Sequence, residues 1–215
     1  MSSRIARAYA TFAFGPGAAI YAFLVDHDAW RRDVRAMARL VSGQRVLDLG
    51  IGPGASALAL AAADPARRPI GLDRSRQMLR RAAAAAAAAR VRLPLVRADA
   101  GALPLRPGAL DGATGHSVLY LLPDPAAALV ELRAALRPGG RVAFLEPRAG
   151  PLPARALRGG VRVAAAMLLW RGMSRLHRRF TEAGLAALLD AAGFRAARAW
   201  PVLRGFGVMA TAERP

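Results

Sequence analysis

The chain has 215 residues, a formal charge of +18 and no cysteine, which allows one domain with its own core and excludes disulfides, thiolate metal sites and thiol nucleophiles. All 32 basic residues are arginine; a field of this sign favours anionic lipids, nucleic acid or anionic substrates, while the arginine and alanine usage also resembles the imprint of a GC-rich genome. No apolar stretch reaches the roughly 18–20 residues that span a bilayer, and the N-terminus lacks a secretory pattern, so a cytoplasmic, at most peripherally membrane-bound chain is expected.

In chain order, residues 1–43 read as a helical cap, interrupted at Gly15-Pro-Gly17. Residues 44–147 alternate short apolar runs with helix-like stretches, the pattern of an α/β fold around a mainly parallel sheet. Arg45–Leu49 is the first predicted strand and runs into the turn Gly50-Ile-Gly-Pro-Gly54; Ala55–Ala63 is a helix. Pro69–Asp73 is the second strand. Ser75 is the N-cap of a helix that continues through the alanine run Ala82–Ala89, since alanine is the best helix former. Leu93–Ala98 and Ala113–Leu119 read as strands three and four, Asp124–Leu136 as a helix stopped by Pro138-Gly-Gly140, and Arg141–Leu145 as strand five. Residues 148–180 form a basic and apolar insertion, and 181–215 hold a helix capped by Thr181 and two closing strands. Seven strands flanked by helices in a single domain are expected.

Asp48, Asp73 and Asp99 each fall where a strand meets its loop, and in an open parallel sheet those carboxyl ends line the ligand crevice. Glycines 50, 52 and 54 let a ligand approach the backbone, and Asp73 is placed to accept from a ribose diol. Gly50, Gly52 and Ala55 also satisfy the dinucleotide fingerprint, which keeps a nicotinamide oxidoreductase as a rival. Asp48 counts against it, because a carboxylate repels a pyrophosphate and attracts an ammonium or sulfonium. Asp26-His27-Asp28 lacks further ligands at suitable spacing and reads as a solvated helix end, so no metal is expected.

The segments Val46–Gly54, Gly71–Leu79, Arg97–Leu105, Ser117–Asp124 and Leu136–Phe144 together resemble the motifs of the class I, Rossmann-like S-adenosylmethionine (SAM)-dependent methyltransferases. The resemblance implies that Asp48, Gly50, Gly52 and Gly54 hold the methionine end of SAM, and that Asp73 binds the ribose. It further implies that Asp99 and the Ala100 amide read the adenine, that Arg74 flanks the purine, and that His116 and Ser117 lie near the methyl group. Ile51 departs from the family pattern, where a small residue or cysteine is commoner.

Methyl transfer needs alignment more than a catalytic apparatus, and a base only where the nucleophile must lose a proton. His116 and Tyr120, at the end of strand four, are the first candidates to contact the acceptor; Glu146 ends strand five and either faces the cleft or binds loop amides. Tyr9 and Tyr21 lie in the cap, which in the family folds over SAM. Residues 148–179 hold eight arginines and no acid. At helical spacing Arg155, Arg158 and Arg162 oppose Arg171, Arg175 and Arg178, so two short helices or a break are expected. Such helices suit an anionic membrane, apolar side down. The expected acceptor is therefore lipophilic and membrane-associated, a phospholipid amine or a quinone-like ring. A soluble small molecule is the alternative, and a non-catalytic lipid-binding module a different class. RNA is disfavoured, because the Asp/Asn-Pro-Pro-aromatic element and base-stacking aromatics are missing.

Overall fold

The computed structural model describes residues 28–153 and 161–215; Tyr9, Tyr21, His27, Arg155 and Arg158 lie outside them. The elements are α1 (Asp28–Arg39), β1 (Arg45–Leu49), α2 (Ala55–Ala63), β2 (Arg68–Asp73), α3 (Arg76–Ala88), β3 (Leu95–Arg97), β4 (Leu110–His116), α4 (Pro125–Ala135), β5 (Leu136–Pro147), α5 (Val161–Ser174), α6 (Glu182–Ala191), β6 (Arg195–Val202) and β7 (Gly207–Glu213). One seven-stranded sheet runs in the order β3-β2-β1-β4-β5-β7-β6. Strands β1 to β5 are parallel, while β7 lies antiparallel between β5 and β6.

Both faces of this sheet are covered, as parallel strands require. Alternate residues supply the two cores: Leu47, Phe144 and Ala210 face one, with α4 and α6, while Val46, Leu145 and Met209 face the other, with Trp30, Met37 and Trp170. Each large side chain removed from water contributes about 1.5–3 kcal/mol. The caps read from the sequence form: the side chains of Ser75 and Thr181 accept from the amides of Met78 and Gly184, and Asp124 caps α4 in the same way, accepting from Ala127.

Two expectations are corrected. Strand four lies at Leu110–His116 instead of Ala113–Leu119, because Ser117 turns into the left-handed region (φ 54°) and the apolar run after it forms a 3₁₀ turn, Leu119–Leu121. Pro138-Gly-Gly140 does not end the helix. The helix stops at Ala135, and the Pro-Gly-Gly segment is an irregularity inside β5, whose pairing with β4 jumps from Leu110↔Leu136 to Gly112↔Arg141. In the insertion, α5 buries Ala166, Met167, Trp170 and Ser174 along one face, while the expected break falls on residues outside the described ones. Its opposite face exposes Val161, Leu168 and Leu169.

Candidate functional site

The carboxyl ends of β1 to β5 meet in one crevice, and register decides what they bring there. Asp48 pairs directly with Thr114 across β1 and β4, and the Thr114 hydroxyl donates to Asp48 Oδ1 at 3.1 Å. Asp48 is buried, and its Oδ2 has no hydrogen-bond partner among the described residues. Desolvation pushes this carboxyl up to about 7, against the lowering effect of the Thr114 hydroxyl. A buried acid with one unused oxygen is suited to a cationic ligand, which would restore its charge.

Beyond Asp48 the chain needs left-handed backbone, with φ of 64°, 53° and 99° at Gly50, Gly52 and Gly54. A Cβ on Gly50 would lie 2.5 Å from Val118 Cγ2, whereas one on Gly52 would meet only the Gly50 carbonyl, at 3.9 Å. The first glycine thus allows close packing of the loop after β4, and the second leaves an open floor. Asp73 closes the turn: Oδ2 accepts from the Gly52 amide at 3.0 Å and Oδ1 from the Ser75 amide at 2.8 Å. Desolvation raises the Asp73 carboxyl, opposed by the Ser75 and Gly52 amides. Ile51 is accommodated because it packs over Gly71, where a Cβ would lie 2.2 Å from its Cδ1.

Asp99 is exposed just past β3, its Oδ1 accepting from the Gly101 amide at 2.9 Å, and Ala100 is buried behind it. Arg74 is exposed at the end of β2. His116 is the last residue of β4, on the same face as Thr114 and Asp48. The Trp30 ring, from α1, meets the His116 ring edge-to-face at 4.3 Å, and Trp170, from α5, meets Trp30 at 5.4 Å. Burial pushes the His116 imidazole down to about 3. It is therefore neutral at physiological pH and too weak a base to hold a proton there. His116 Nε2, Ser117 Oγ and Trp170 Nε1 are buried and lack hydrogen-bond partners among the described residues.

Two other candidates are buried in the core. Glu146 is fully buried, and its carboxylate accepts from the amides of Val118, Leu119 and Tyr120 at 3.0, 2.8 and 3.2 Å, so it binds the loop after β4 instead of facing the cleft. Tyr120 is a core side chain, 3% exposed, with its ring edge-on to His177 at 5.7 Å. Sequence reasoning missed Thr114, Trp30 and Trp170, because each enters through strand register or helix packing. Among the described residues no group of acids and histidines could hold a metal.

Residues 46–140 match the family model described as a methyltransferase domain. The chain is 38% identical over 123 residues to the demethylmenaquinone methyltransferase of Lactiplantibacillus plantarum, covering 56% of this chain and 52% of that protein. It is 34% identical over 179 residues to the malonyl-[acyl-carrier protein] O-methyltransferase of Geobacter sulfurreducens, covering 79% and 66%. The chain spans about half the length of most curated relatives it matches. Among solved structures, phosphoethanolamine N-methyltransferase 2 of Haemonchus contortus in complex with SAM superposes with a TM-score of 0.73 at 14% identity, covering 98% of this chain and 60% of that one. At that identity the likeness concerns the fold alone.

Proposed function

Since the chain belongs to the class I family of SAM-dependent methyltransferases, we propose that it methylates a small lipophilic acceptor with a flat ring, of the quinone type, drawn from a membrane surface. The carrying observation is the pair of polar groups at the end of β4, His116 Nε2 and Ser117 Oγ, which have no hydrogen-bond partner among the described residues, with the His116 ring held edge-on at 4.3 Å by the buried Trp30. Uncharged groups of this kind suit the ring oxygens of a neutral acceptor. Similarity to demethylmenaquinone methyltransferases at 34–38% identity supports the same class.

The residues present fit SAM. Asp48 offers an unpartnered buried oxygen to its cationic end, Gly52 an open floor, Asp73 a carboxylate for the ribose, and Asp99 one for the adenine. When bound, SAM supplies a methyl carbon already activated by a sulfonium. The chain then has to align and dehydrate the nucleophile. Neutral His116 and the Ser117 hydroxyl are the acceptor-facing polar contacts, orienting the ring by hydrogen bonds and leaving any proton to be lost from the acceptor's own acidity. Tyr9 and Tyr21 belong to the cap segment, for which we propose the covering role the family implies.

Delivery from a membrane is supported by α5. Its outward residues Val161, Leu168 and Leu169 are exposed by 87%, 47% and 44%, more apolar surface than a solvated helix needs. Among the described residues, no helix is long and apolar enough to cross a membrane. The test is an assay of the purified chain with SAM and a demethylated quinol in anionic vesicles, following S-adenosylhomocysteine and the methylated ring. Formation of both, weakened by Leu168→Asp with Leu169→Asp, is the expected outcome. Turnover with water-soluble acceptors and none with the quinol would replace this acceptor class.

A further inference from the structure

At the opposite end of the sheet lies a second concavity that methyl transfer does not use. A cleft of about 760 Å³ is lined by Arg45, Arg67, Arg68, Arg90 and Arg92, with Ile70 and other apolar residues between them, and no acid contributes to its lining. Arg45 and Arg68 open β1 and β2 and pair in register, so the cleft stands at the amino ends of these strands. The five residues of β1 separate it from the glycine turn by about 16 Å at the usual strand rise.

Four of the five arginines belong to no ion pair among the described residues. Arg45 shares Asp111 with Arg137, at 3.4 and 2.9 Å. Arg67 is anchored by donating to the carbonyls of Ala38 and Val41 at 2.7 and 3.0 Å, while its buried Nε has no partner among the described residues. Arg68, Arg90 and Arg92 are exposed and belong to no ion pair among the described residues. The nearest acid in sequence, Asp64, accepts from the Ala66 amide. Arg90 is held in left-handed backbone, φ 56°, at the end of the alanine helix, and Arg92 follows in the same loop.

Like charges gathered in a concave, partly apolar wall raise the local potential for an anion, and guanidinium forks match phosphate oxygens two at a time. The volume is that of a small-molecule site. We infer that this cleft binds an anion carrying one or more phosphate groups, independently of the methyl-transfer site. The phosphate comes from a free phosphorylated molecule or from a lipid headgroup.

Isothermal titration of the full chain with inorganic pyrophosphate and tripolyphosphate tests this, beside co-sedimentation with phosphatidylglycerol vesicles. The variant Arg68→Glu/Arg90→Glu/Arg92→Glu changes only exposed side chains, and Arg35→Glu/Arg106→Glu/Arg198→Glu is a control with the same change in charge; unchanged SAM binding reports folding of both. Saturable binding of polyphosphate to one site, weakened about tenfold or more by the cleft variant and far less by the control, supports a free phosphorylated ligand. Vesicle binding with the same variant pattern, and no polyphosphate binding, supports a headgroup. Equal losses in the two variants, or no binding by the wild type, would overturn the inference.

Discussion

Asp73 Oδ2 accepts the Gly52 amide at 3.0 Å, so the glycine turn after β1 is latched to the end of β2 before any ligand arrives. The same carboxylate is the one assigned to the ribose, which makes it both a strut and a contact. Asp73→Ala removes both functions and Asp73→Asn keeps an acceptor for the latch. We expect SAM affinity to fall about a hundredfold or more in the alanine variant and less in the asparagine variant. Calorimetric titration with SAM and S-adenosylhomocysteine reads the difference.

Asp48 gives the pH dependence. Its carboxyl is raised to about 7 by burial, so the free protein holds a proton there at lower pH, whereas a cationic ligand selects the carboxylate. SAM affinity should therefore weaken as pH falls below 7, by up to about tenfold per unit, with Asp73, also raised, contributing in the same direction. Asp48→Asn should bind weakly with a flatter profile between pH 6 and 8. A wild-type affinity that strengthens on acidification would contradict the assignment.

Gly50 tests the packing of the turn. Its φ of 64° and the 2.5 Å approach of a Cβ to Val118 Cγ2 leave no room for a methyl group. Gly50→Ala is expected to destabilise the fold by about 1–3 kcal/mol and to weaken SAM binding further. Gly52→Ala meets no such clash but keeps the strained backbone. Chemical denaturation of the two variants should rank Gly50→Ala as the less stable.

Much of this crevice was legible in the sequence because its parts are local. The order Asp48, glycine turn, Asp73, Asp99 is a one-dimensional signature, and each acid lies within one residue of a predicted strand end. What the sequence hid depends on pairing or on a single dihedral. Thr114 reaches Asp48 only through the β1–β4 register. Ser117, with φ 54°, ends strand four three residues before the apolar run suggests. The burial of Trp170 against Trp30 was not legible from arginine spacing, because alanine and methionine at 166 and 167 complete the apolar face of α5.

Glu146 ties the loop after β4 through three amides. A glutamine there keeps one acceptor oxygen and turns an NH₂ group toward a backbone donor. Glu146→Gln should lower stability by about 1–3 kcal/mol and shift kcat through the loop that carries His116 and Ser117, with a smaller effect on SAM affinity. Thermal unfolding together with a kcat-against-KM comparison separates this from a direct role in the chemistry.

Trp30 holds the His116 ring from the core side. Trp30→Phe keeps an aromatic ring in the core but shortens the contact with His116, so it should raise the acceptor's KM while SAM affinity stays within about twofold. Steady-state kinetics with the acceptor varied at saturating SAM gives the answer.

The most direct test of the whole account is to incubate the purified chain with methyl-labelled SAM and a membrane-containing cell extract, then separate lipids, nucleic acid, protein and small molecules. The account predicts label in the lipid-soluble fraction, on a ring-bearing compound, and its loss in Asp73→Ala. Label confined to water-soluble molecules would contradict the acceptor class, and no transfer from a chain that binds SAM would contradict the activity itself.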